Sequence, residues 1–157
     1  MKLLNQKITI LIAALSLTAV LSPPNAIAED KKAETKSLYE RLGGQAAIDA
    51  AVDIFYVKVL ADDRVNYLFE DINMKRQIAK QKQFLAAAFG GPVPYEGRDL
   101  RTAHKSLDLT DKHFGAIAEH LQASLTELKV DEKIIGEVMA IAASTKDAVL
   151  NREPKKE

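Results

Sequence analysis

The 157-residue chain has no cysteine, no tryptophan and only three histidines. The missing thiols exclude disulfides, zinc–thiolate sites, iron–sulfur clusters, a cysteine nucleophile and any prosthetic group attached by thioethers through C-x-x-C-H. An excess of charge of either sign is missing too. Twenty-two Lys and Arg face 22 Asp and Glu, so no global field draws in nucleic acid or an anionic membrane. Phosphate-binding glycine loops, a nucleophile elbow and H-E-x-x-H are all absent. A metal held mainly by nitrogen must therefore use His104, His113 or His120.

The N-terminus differs in kind from the rest. Lys2 and Lys7 lead into a mostly apolar run from Ile8 to Leu21, which Pro23-Pro24 breaks ahead of Ala26-Ile27-Ala28. A basic start, a short apolar stretch and a small-residue cleavage site make a secretory signal peptide, with cleavage expected after Ala28. The 14-residue run is too short for a transmembrane anchor, which needs about 20 residues, and no cysteine follows to carry a lipid. Residues 1–28 take away two lysines and no acid, so the expected mature chain carries 20 basic against 22 acidic residues. It is expected to be exported, to a bacterial periplasm, with no stable membrane anchor. Residues 29–36 read as a flexible leader and 152–157 as a polar tail, both charged and poor in apolar residues.

Between them apolar residues recur at helical spacing and no period-two stretch suggests a strand, so the fold is expected to be all-α. A short helical turn over Ser37–Arg41 stops at Gly43-Gly44. A longer helix from Gln45 to about Leu60 carries Ile48, Val52, Phe55 and Val59 on one face, with Tyr56 on its shoulder. Asn73 is positioned to cap a helix from Met74 to Phe89, ended by Gly90-Gly91-Pro92. Leu100, Ala103, His104 and Leu107 suggest a short helix with a histidine on its apolar side. Thr110 or Asp111 caps a helix to about Leu128, and Asp131 a last one to about Leu150.

Polar residues interrupt two of these faces. Gln77 and Gln81 project within about 60° of Met74, inside the stripe Met74, Ile78, Leu85, Ala88. Burying an unpartnered amide costs roughly 1–3 kcal/mol, so the pair either meets a polar group, such as the Tyr56 hydroxyl or a ligand, or sits at a solvated edge. His104 lies among Leu100, Ala103 and Leu107 with no carboxylate at helical spacing. It is either a satisfied core histidine or a neutral imidazole with one nitrogen on a backbone carbonyl and the other on a metal. His113 and His120 read as ordinary boundary residues. One histidine is too few for catalytic zinc but enough for an iron that a macrocycle already holds by four nitrogens.

Leu38-Tyr39-Glu40-Arg41-Leu42-Gly43-Gly44, Phe55-Tyr56, Phe69, the Gln77/Gln81 helix, Phe89-Gly90-Gly91-Pro92, Tyr95, Gly97 and His104 ahead of His113-Phe114 occur in that order. The set resembles a group I truncated haemoglobin over residues 37–151. The resemblance implies a two-over-two helical sandwich around one b-type haem. His104 matches the proximal iron ligand, and Tyr56, Gln77 and Gln81 the distal positions that hydrogen-bond a diatomic ligand. Phe69, Met74, Arg76, Lys80, Tyr95, Leu100 and Phe114 match haem-contacting positions, with Lys80 placed to reach a propionate. Phe84 and Leu85 match residues that line a tunnel toward the iron. Thr145 stands where some members carry a histidine bonded to a haem vinyl group, so non-covalent attachment is expected. Lys80 replaces a histidine that takes the sixth iron site in some relatives, so that site is expected to be vacant or water-filled.

The resemblance implies reversible binding of O2, NO or CO. Two other functions stay open on the sequence: an NO dioxygenase or weak peroxidase on the same haem, which needs an electron donor, and a haem-free exported helical interaction module.

Overall fold

A computed structural model describes residues 36–153. The expected signal peptide, the leader up to residue 35 and the tail from residue 154 lie outside the described residues. Every regular element among the described residues is helical: α1 (Leu38–Leu42), α2 (Gly44–Leu60), a 3-10 turn (Asn66–Phe69), α3 (Met74–Ala88), α4 (Leu100–His104), α5 (Asp111–Glu127), α6 (Glu132–Ser144) and α7 (Lys146–Val149). None is long and apolar enough to cross a membrane.

Local chemistry sets the breaks. Ser37 and Glu40 form a reciprocal capping box at the start of α1. Gly43, at φ 109°, ends α1 and begins α2 in one step, a backbone conformation that a side chain disfavours. For that reason α2 starts at Gly44 and not at Gln45. Asn73 accepts a hydrogen bond from the Arg76 amide at 3.0 Å, as expected of the cap of α3.

The α2–α3 pair lies over the α5–α6 pair, with α2 packed on both α3 and α5 and with α1 bridging α2 and α6. The core runs through this crossing, where Ile48, Val52, Phe55, Val59, Leu85, Leu125 and Val138 are buried. Tyr56 belongs to the same core and is only 3% exposed. The expected shoulder of α2 is thus part of its buried face.

Two expectations need correction. The last helix does not run unbroken to Leu150: it ends at Ser144, and α7 restarts at Lys146. Ser144 and Thr145 turn their hydroxyls back to the carbonyls of Ile141 and Ala142, at 2.6 and 2.7 Å, and this local capture competes with helix propagation. The other correction is Leu107, which falls three residues beyond the end of α4 and is exposed. The stripe it was expected to complete stops at His104.

Candidate functional site

Tyr56 is the polar centre of the α2–α3 interface. Its hydroxyl accepts a hydrogen bond from the half-buried Gln77 Nε2 at 3.1 Å, so this amide meets a polar group. Phe55 and Phe69 stand edge-on to its ring, with centroids 5.0 and 5.9 Å away. Burial raises the phenol pKa above its ordinary value and the Gln77 bond opposes that rise in part. The group is therefore a neutral phenol near pH 7, and because its oxygen accepts from Gln77, its own proton remains available for donation. Gln81, one turn further along α3, is half-buried and has no hydrogen-bond partner among the described residues.

The three histidines separate by their hydrogen bonds. His104 ends α4, which Asp99 caps by accepting from the Thr102 amide at 3.0 Å. Its Nδ1 lies 2.7 Å from the Leu100 carbonyl oxygen. A carbonyl can only accept, so Nδ1 carries the proton and the Nε2 lone pair of the neutral ring is left free. His113 is the reverse: Nδ1 accepts from the Thr110 amide at 3.2 Å, which places the proton on Nε2, 2.9 Å from the Tyr67 hydroxyl. His120 Nε2 lies 2.6 Å from Asp62. His113 thus has both nitrogens engaged, whereas His104 keeps Nε2 and His120 keeps Nδ1 without a partner among the described residues. Of these two, His104 is the one at the position that the resemblance gives to the iron ligand.

Of the remaining expected contacts, Phe69 and Met74 pack against the core. Phe69, Met74, Tyr95, Leu100 and Phe114 are all half-buried, although aromatic and long apolar side chains normally close against one another in a core. Arg76 and Lys80 are exposed on α3. The structure joins Tyr56, Gln77 and Phe69 into one group and leaves His104 outside it, on an α4 packed against α7.

Phe84 stacks edge-on to Tyr95 at 5.4 Å. It does not border the apolar cavity of about 160 Å³ that Leu85 shares with Leu42, Ile48, Phe89, Leu125 and Val138. Of the two residues expected along a tunnel, Leu85 lines a cavity and Phe84 does not.

The pairing of Tyr67 with His113 was not anticipated from the sequence. Its only signal there is a histidine three residues after Thr110, in the capping-box position that Glu or Gln usually fills.

Residues 37–151 match the family model for bacterial-like globins. Among curated relatives, the chain is 49% identical over 122 residues to the group 1 truncated hemoglobin GlbN of Synechocystis sp., covering 74% of this chain and 98% of the relative. It is 46% identical over 116 residues to the group 1 truncated hemoglobin of Tetrahymena thermophila, covering 74% and 96%. Among solved structures, the 2/2 hemoglobin of Synechococcus sp. in the cyanomet state, with covalently attached heme, superposes with a TM-score of 0.71 at 49% identity, covering 74% of this chain and all of that one. The Fe(III) truncated hemoglobin of Tetrahymena pyriformis gives 0.71 at 42% identity, covering 73% and 98%.

The chain is thus a haem-binding globin of the two-over-two class, and it belongs to the group 1 truncated hemoglobins. The residues present fit haem. The free Nε2 of His104 is the donor that haem iron takes from a protein, and the half-buried apolar side chains are surface that the polypeptide does not cover by itself.

Proposed function

We propose that this chain holds haem b non-covalently through His104 and binds O2 reversibly beside Tyr56, Gln77 and Gln81. The observation that carries this reading is the Gln77-to-Tyr56 hydrogen bond at 3.1 Å. It occupies the phenol oxygen from one side and orients the phenol proton elsewhere.

Haem iron, when present, supplies reversible attachment of a diatomic gas and shifts partial negative charge onto it. The protein's part is to meet that charge with fixed donors. Tyr56 is buried and neutral, so it donates without first shedding a shell of water, and such preorganised donors act most strongly in a dry site. Gln77 locks the phenol, while the uncommitted Gln81 supplies a second donor. Leu100 holds His104 in the tautomer whose Nδ1 carries the proton, so that in the neutral ring Nε2 presents the lone pair. Phe69, Met74, Tyr95, Leu100 and Phe114 provide apolar contact for the macrocycle. Arg76 and Lys80, in no ion pair among the described residues, are suited to its propionates. Thr145 has no ring nitrogen to bond a vinyl group, in keeping with non-covalent attachment.

Stopped-flow measurement of O2 release tests the assignment. Removing one donor from such a pocket costs roughly 1–3 kcal/mol, so Tyr56→Phe is expected to accelerate release about 5- to 150-fold. An unchanged rate would remove the tyrosine from the function.

A further inference from the structure

Two histidines outside the proposed ligand set leave α5 for the same stretch of chain. His120 reaches Asp62 at 2.6 Å and His113 reaches Tyr67 at 2.9 Å. They lie seven residues apart, two turns along one side of the helix. Between their targets Val65 is completely buried, so the segment is pinned at both ends and in its middle. Two residues past Tyr67 comes Phe69, whose ring stands edge-on to Tyr56 at 5.9 Å. On the α5 side, His113 directly precedes Phe114.

The geometry points to His113 as a positioning residue: its bond to Tyr67 straps the 3-10 turn carrying Phe69 to the start of the helix carrying Phe114, and so sets the spacing of two walls of the haem pocket. The tautomer makes the strap directional. Because Nδ1 accepts from the Thr110 amide at 3.2 Å, the ring cannot turn away from Tyr67 without also giving up the helix start. The inference rests on the reading above, in which Phe69 and Phe114 border the haem and Tyr56 faces the ligand.

Two substitutions isolate the strap from the fold. His113→Gln preserves the cap, since glutamine at this position is the usual capping-box residue, but removes the imidazole reach to Tyr67. Tyr67→Phe deletes only a hydroxyl from a ring that is 48% exposed, so its packing persists. In the full chain loaded with haem, each is expected to speed haem transfer to an apoglobin scavenger roughly two- to tenfold. The double variant is expected to be no faster than either single one. Amide hydrogen exchange is expected to rise in residues 66–69 and to stay unchanged in α2. O2 release is also expected to quicken in both variants, and that increment is expected to vanish in a Tyr56→Phe background. A contact that only stabilised the fold would lower the melting temperature without this dependence on Tyr56.

Unchanged haem transfer and O2 release in both strap variants, or a double variant equal to the product of the singles, would overturn the strap while His104→Ala and Tyr56→Phe still showed their effects. If those two variants were themselves silent, the reading of the haem site would fall, and the strap's role with it.

Discussion

The short helix α4 and the long helix α5 spend their histidines in opposite ways. On α4, His104 turns Nδ1 back onto its own helix at Leu100 and leaves Nε2 free. On α5, His113 and His120 direct Nε2 to residues of another segment. All three rings are half-buried, so exposure does not distinguish them. What does is which nitrogen is occupied and by what: His113 commits both nitrogens, His120 commits Nε2 to a carboxylate of another segment and keeps Nδ1, and His104 keeps Nε2 on a ring held within its own helix.

The sharpest way to break this contrast is to delete each ring. Even partners outside a metal's direct ligands commonly cost 10- to 100-fold in affinity. Loss of His104 itself is therefore expected to accelerate haem release by more than about 100-fold, with partial recovery when free imidazole is added. His113→Ala and His120→Ala are expected to retain the absorption spectrum of a histidine-ligated haem. Should His104→Ala keep that spectrum while either α5 variant loses it, the assignment of the ligand is wrong.

The same distinction divides the glutamines of α3. Gln77 is committed to Tyr56, whereas Gln81 has no protein partner among the described residues. Gln77→Leu is expected to quicken O2 release by less than Tyr56→Phe does, and to add little to it in the double variant, because part of its effect passes through the phenol. Gln81→Leu is expected to act independently, so that its factor multiplies that of Tyr56→Phe. Stopped-flow rates for the three single and two double variants decide this, and identical coupling of both glutamines to Tyr56 would remove the difference.

Much of this was legible in the sequence because it depends on local rules. The caps at Asn73 and Asp131, the glycine exits and the apolar stripe of α2 each follow from a few neighbouring residues. Tyr56, Gln77 and His104 could be picked out because polar groups on apolar faces require an explanation. What stayed hidden depends on contacts between distant residues or on competition within one turn. Tyr67 and His113 are 46 residues apart, and neither interrupts an apolar pattern. Ser144 and Thr145 are acceptable helix residues by composition, and only their back-bonding hydroxyls show where α6 ends. Phe84 and Leu85 are adjacent and equally apolar, so nothing in their order says that one meets Tyr95 and the other a cavity.

Asp62 allows a finer test of what His120 is for. Its carboxyl is held well below the usual carboxylate range, first by the Arg64 side chain, then by the Arg64 amide, with His120 adding to both. A carboxylate whose pKa is depressed by folding stabilises the native state above its ordinary pKa, about 3.9. That contribution is lost as pH falls from there toward the depressed value. The melting-temperature gap between the parent and Asp62→Asn is therefore expected to be widest near neutrality and to shrink as pH drops below about 4. Because this corner is partly solvated and its ion pairs are screened, the gap should be small. The haem spectrum and O2 release of Asp62→Asn are expected to match the parent at neutral pH, since His113 still holds the turn nearest Phe69. A gap that stayed constant down to pH 3 would mean that Asp62 acts through packing and not through charge. A shifted O2 release rate would instead place His120, and not His113 alone, in control of the pocket wall.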